Sequence, residues 1–182
     1  MLKKALPIAS LIVLAILTAG CATPARVGDM VDQTGKRPTL NSVNLKTNIF
    51  VDSVVGGEET NPLWTSEIGS KEFQTALEQS LAKAGLLDIV RNDSAYLLTV
   101  NMLEVDQPWG GLDMTVIATV RYVLIDKLSG EEIYNRIIAI PYTAEFSEAF
   151  LAMERLRKAN EGAARVSIKE FVDDLYNLRI ER

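Results

Sequence analysis

The chain contains no histidine and a single cysteine, Cys21. Without histidine, Ser-His-Asp and Cys-His catalysis are excluded, together with every histidine-based metal site. A single cysteine allows no internal disulfide, so a folded domain must rest on its core, and Cys21 invites a separate explanation. Positive charge is also short, with 19 Lys plus Arg against 24 Asp plus Glu and a net charge of −5. Lys3 and Lys4 are the only charged residues among the first twenty, so the remainder is more acidic still. An acidic domain gains nothing from phosphate neutralisation, and nucleic acid is not an expected ligand. The same balance argues against adhesion to anionic lipid heads through a basic surface. Aromatic residues make up only 7% of the chain, so the two tryptophans, Trp64 and Trp109, stand out.

What is present begins with a leader. Lys3 and Lys4 are followed by an apolar stretch from Ala5 to Leu17, then by Thr18, Ala19, Gly20 and Cys21. Basic, apolar, then small residues is the layout of a secretory signal, since a peptidase must admit an extended backbone with small side chains. An uncleaved membrane helix needs about 20 apolar residues. Here Pro7 interrupts the apolar block and small residues end it.

Leu17, Thr18, Ala19, Gly20 and Cys21 resemble a bacterial lipobox, with Thr18 departing from the usual leucine. The resemblance implies that residues 1–20 are a signal peptide and that the Cys21 thiol receives a diacylglyceryl group. It also implies that the new amine is acylated by a fatty acid such as palmitate. Two or more chains give stable anchoring where one gives only marginal binding. Ala22, where an aspartate would stand for retention, resembles the outer-membrane sorting signal of Gram-negative lipoproteins. The implied location is the periplasmic face of the outer membrane, with the membrane itself as one partner through the acyl chains on Cys21.

Residues 22–42 are polar and carry Pro24, Gly28, Gly35 and Pro38, which reads as a lipidated flexible tether over 21–42. The periplasm-facing domain is expected over 43–182. Val43, Leu45, Thr47, Ile49, Val51 and Val55 share one parity, which predicts a strand over 43–55. Phe73, Ala76, Leu77, Ser80, Leu81 and Ala84 form a stripe at helical spacing over 70–84, with Gly85 placed for a left-handed cap. Three further strands are expected over 96–105, 114–125 and 132–140, joined by short Gly-containing turns that favour antiparallel neighbours. A long helix over 147–178 carries Phe150, Met153, Leu156, Asn160, Ala163, Ala164, Ser167, Ile168, Phe171 and Leu175 on its inward stripe. Gly162, Ala163 and Ala164 would let it approach the sheet closely. The order β-α-β-β-β-α predicts an α+β two-layer sandwich, an antiparallel sheet of about four strands with two helices on one face.

Few residues suggest chemistry. Ser80 and Lys83 have the Ser-x-x-Lys spacing of penicillin-recognising enzymes, but Ser80 lies at the end of its helix and the partner motifs are missing. The pairs Glu58 and Glu59, Glu131 and Glu132, and Asp173 and Asp174 are adjacent, and adjacent side chains point apart. Asp126 to Gly130 reads as a turn, not a calcium loop. No catalytic residue, metal ligand or cofactor is expected, and the chain is not read as an enzyme. Trp109, bracketed by Pro108 and by Gly110 and Gly111, and Trp64, after Asn61, Pro62 and Leu63, both fall in connections. Tryptophan is enriched at interface hot spots, so both are candidates for partner contact.

The run from Arg155 to Arg165 resembles the C-terminal helix of small proteobacterial lipoproteins, and the element order resembles the accessory envelope lipoproteins of the LptE, LpoB and YajG type. That resemblance implies a non-enzymatic accessory subunit of an envelope protein or transport complex, with an envelope protein as its partner. The alternatives are a periplasmic carrier of lipid or another apolar ligand and, last, an envelope enzyme.

Overall fold

The computed structural model describes residues 22–61 and 65–180. Cys21, Trp64 and the leader lie outside the described residues. Four strands form one sheet in the order β1-β2-β3-β4: β1 (Ile49–Val55), β2 (Tyr96–Asp106), β3 (Met114–Asp126) and β4 (Glu132–Ala144). Among the described residues three α-helices accompany them: α1 (Val27–Met30), α2 (Ser70–Lys83) and α3 (Ala152–Asn177). The α+β order expected from the sequence is present. Both long helices cover one face of the sheet, and the opposite face, with Thr119, Arg121 and Ile137, meets solvent.

One pairing differs from the expectation. β2, β3 and β4 are antiparallel neighbours, but β1 runs parallel to β2, so the sheet is mixed. The reason lies in α2, which carries the chain back across the sheet before β2 begins. A crossover of that length is what parallel neighbours require.

The start of β1 also differs. Val43–Leu45 is a single 3-10 turn, and Thr47 has a φ of 50°, which no strand tolerates. Alternation of side chains therefore extends through residues that are not a strand. A bulge between Val51 and Ser53 then shifts the parity. Val54 becomes the buried residue, and Val55, expected on the inner face, is 52% exposed.

α2 matches its stripe, with Phe73, Ala76, Leu77, Ser80 and Leu81 buried. Gly85 ends it with a φ of 70°, and the amides of Leu86 and Leu87 return to the carbonyl of Leu81. α3 starts later than expected, because a 3-10 turn over Phe146–Glu148 precedes it. Phe150, placed by sequence on the inward stripe, lies before the helix and is 81% exposed. From Leu156 onward the stripe is inward. Gly162 packs so closely on β4 that a Cβ there would lie 2.1 Å from the Tyr142 ring.

The tether expected over 22–42 is folded onto the domain. Ala25, Met30 and Val31 are buried and join the common core. Arg37 bridges Asp32 and Asp173, tying this segment to α3. The Arg165 guanidinium donates to the Asp29 carbonyl at 2.6 Å and lies over the Tyr142 ring. Arg26 pairs with Glu161, whose side chain is 3% exposed. A low density of apolar residues hid this packing, since only a few anchors are needed to dock a short strap. Among the described residues, no helix is long and apolar enough to cross a membrane.

Candidate partner-binding site

The turn between β2 and β3 holds Trp109 at one end of the sheet, and the side chain is fully exposed. Around it, Leu112, Phe150 and Leu151 are exposed large apolar residues on two neighbouring loops. Apolar side chains of that size seldom gather on a surface without a function.

Arg155 explains why the two loops stay together. It sits in the first turn of α3 and is 3% exposed. Its guanidinium donates to the carbonyls of Ala149 and Phe150 before the helix, and to the Gly111 carbonyl of the β2–β3 turn at 3.1 Å. The same group lies 5.1 Å from the centre of the Phe146 ring. The Phe146 amide in turn donates to Asp113 at 2.9 Å. A buried cation held by carbonyl dipoles thus fixes an apolar surface, so little ordering entropy remains to be lost on contact.

Beside Trp109 runs a groove of about 750 Å³. It is lined by Leu103 to Asp106 of β2, by Glu58, Thr65 and Glu67 of the β1–α2 connection, and by Met153 and Leu156 of α3. A polar network fixes the wall. The Gln107 amide donates to the Ser66 carbonyl, to Glu67 and to Asn160, each within 3.1 Å. Asn160, on the apolar stripe of α3, donates to the Ser66 carbonyl at 2.7 Å. Burial raises the Glu67 carboxyl above its ordinary value. Hydrogen bonds from Thr65 and Gln107 oppose the shift, and the charge of Glu58 adds to it.

Residues considered for chemistry are committed elsewhere. The Ser80 hydroxyl donates to the Ala76 carbonyl at 2.7 Å and accepts the Asp32 amide at 3.0 Å. Asp173 pairs with Arg37 and Lys169, and Asp174 with Arg136. Asp126 closes its turn by accepting the amides of Leu128 and Ser129. Among the described residues, no group of three or more acidic or thiol side chains is arranged to hold a metal ion. The Pro/Gly bracket marks Trp109 as a turn residue in the sequence, and the structure places it exposed in that turn. Arg155, Glu67 and Glu104 carry no such signal, since only the tertiary fold gives them a common location with it.

No protein-family model matches the sequence, nor does any curated protein. Solved structures share the fold. Protein XCC0632 from Xanthomonas campestris is 10% identical, with a TM-score of 0.55 over 79% of this chain and 94% of that one. The PelC dodecamer from Paraburkholderia phytofirmans is 15% identical, with a TM-score of 0.52 over 78% and 95%. Protein CT253 from Chlamydia trachomatis is 12% identical, with a TM-score of 0.52 over 73% and 97%. At such identities the likeness is one of fold.

Proposed function

We propose that this chain is a lipid-anchored lipoprotein on the periplasmic face of the outer membrane. In this reading it is a non-enzymatic accessory subunit that binds a larger envelope protein through its Trp109 end. The carrying observation is the exposed apolar surface of two loops, clamped together by the buried Arg155. An exposed aromatic with few rotors, beside a groove, offers a large apolar contact for little ordering entropy. Thr23 accepts the Ser66 hydroxyl at 2.7 Å, so the described chain begins beside the wall of the groove. An acyl anchor on Cys21 would then hold the groove near the membrane, where an envelope partner lies. The carrier alternative finds less support, since the groove opens to solvent and carries the carboxylates of Glu58, Glu67, Glu104 and Asp106.

Site-specific photocrosslinking in cells tests the reading. A photoreactive residue in place of Trp109 should give a discrete protein adduct. The same residue in place of Leu128, exposed at the far end of β3, should not. Trp109→Ala should leave the urea midpoint nearly unchanged and weaken recovery of the co-purifying protein. A large loss of stability with the partner retained would sink the proposal.

A further inference from the structure

We infer that the groove takes an extended, positively charged segment of the partner protein, laid as an added strand along the free edge of β2. The inference rests on the partner-binding reading and names the chemistry of what is bound.

The free edge follows from the register. β1 ends at Val55, opposite Asn101, whereas β2 continues to Asp106. Among the described residues, no strand pairs with the β1 side of 103–106. Unpaired backbone amides and carbonyls on such an edge are a template for one more strand. Four consecutive residues, Leu103 to Asp106, line the groove. Side chains alternate between faces along a strand, so a surface touching every residue in turn runs along the edge itself. The bulge between Met102 and Glu104 leaves Leu103 unpaired and re-aims it outward, where it is 47% exposed.

Charge selects the occupant. Glu104 and Asp106 stand on the edge, Glu58 and Glu67 line the same groove, and among the described residues no lysine or arginine lines it. A second copy of this acidic chain would bring its own Glu104 and Asp106 to the same edge. The charges that reject self-pairing are those that favour a cationic strand. An anionic lipid surface would be repelled as well.

The test uses the full-length protein in detergent, with Trp64→Phe so that Trp109 alone reports. The probe is a fluorescein-labelled peptide of alternating lysine and valine, about ten residues long, as strand addition requires. Its counterpart alternates glutamate and valine, and a third copy is N-methylated on every second backbone amide. The lysine peptide should bind and shift Trp109 emission, and the glutamate peptide should not. N-methylation should weaken binding about tenfold or more through lost main-chain hydrogen bonds. Glu104→Lys with Asp106→Lys, both on the surface, should reverse the preference between the two charged peptides. Binding of neither peptide, equal binding of both, or indifference to N-methylation overturns the inference. If Trp109-dependent recovery of the partner survives such a result, the strand mode has failed and the partner-binding reading stands.

Discussion

At Phe171 three rings meet. It stacks on Tyr122 with centroids 4.3 Å apart, and Tyr134 meets it edge-on at 5.4 Å. Tyr122 is buried, and its hydroxyl satisfies itself on Ser167 at 2.9 Å. Phe171→Ala removes the centre of this cluster and should destabilise the domain by about 3–5 kcal/mol, as should Phe73→Ala in α2, since both are fully buried. Urea unfolding measures both, and losses below about 1 kcal/mol would mean that these faces do not carry the core. Gly162→Ala sets two effects against each other. Alanine gains about 1 kcal/mol of helix propensity, but its methyl meets the root of the Tyr142 ring as well as its edge, which turning the ring about χ2 cannot relieve. Overpacking of about 1–3 kcal/mol should win, so the variant is expected to be less stable. Glu67 supplies a pH signature. Its folded-state pKa is raised, so its share of stability is fully present below the ordinary carboxylate value and is lost as pH rises through the raised one. Glu67→Gln should be at least as stable as the parent at neutral pH, with a flatter midpoint-against-pH curve. A steeper curve would contradict the burial of that carboxyl.

Segment 22–42 shows how an element can lack a sequence signature yet be structural. Asp32 and Arg37 are both nearly buried, and Arg37 also reaches Asp173 of α3. Burial pushes the Asp32 carboxyl up, but hydrogen bonds from Thr34 and the Arg37 charge outweigh it, leaving the pKa below the ordinary value. Its contribution is therefore present above that ordinary value and lost as pH falls through the depressed one. Arg37→Ala strands Asp32 without its cation and should cost about 3 kcal/mol, the scale for breaking a buried pair. Hydrogen exchange should then rise first in residues 26–37. Unchanged protection there would show that Met30 and Val31 alone hold the strap. Nothing in the periodicity of 22–42 announces its bonds to α3, because they join residues more than 130 positions apart. α2 was legible for the opposite reason: its stripe and the Gly85 cap are local. β1 was half legible. Its alternation survives through Thr47, where the chain is not a strand, and fails at the bulge, where it is. The parallel pairing of β1 and β2 was implied by the helix between them, while the side-chain pattern reports burial and not direction. At the site, Trp109 was visible because Pro108 and two glycines frame it. The walls of the groove come from four separate stretches of chain, and no spacing along the sequence joins them.

For the whole molecule, the packing of 22–42 changes what an anchor on Cys21 would do. A free tether of about 20 residues would let the domain wander roughly 25 Å from the lipid. Instead Ala22 is 5% exposed, and Ala25 donates to the Glu67 carbonyl at 3.2 Å. The residue bearing the acyl chains would follow the domain directly, and the Trp109 end would be presented near the bilayer in a limited range of orientations. Cys21→Ser should abolish incorporation of an alkyne fatty acid and release the protein from the membrane fraction. Its urea midpoint should stay near that of the parent, since no core residue is altered. Inserting about 20 Gly/Ser residues after Cys21 should keep lipidation and membrane attachment but weaken crosslinking from position 109, because the groove would lose its fixed height. Equal fatty-acid labelling of the parent and Cys21→Ser would remove the anchor from Cys21. Undiminished crosslinking after the insertion would leave the anchor and dismiss the role of the docked strap in aiming the groove.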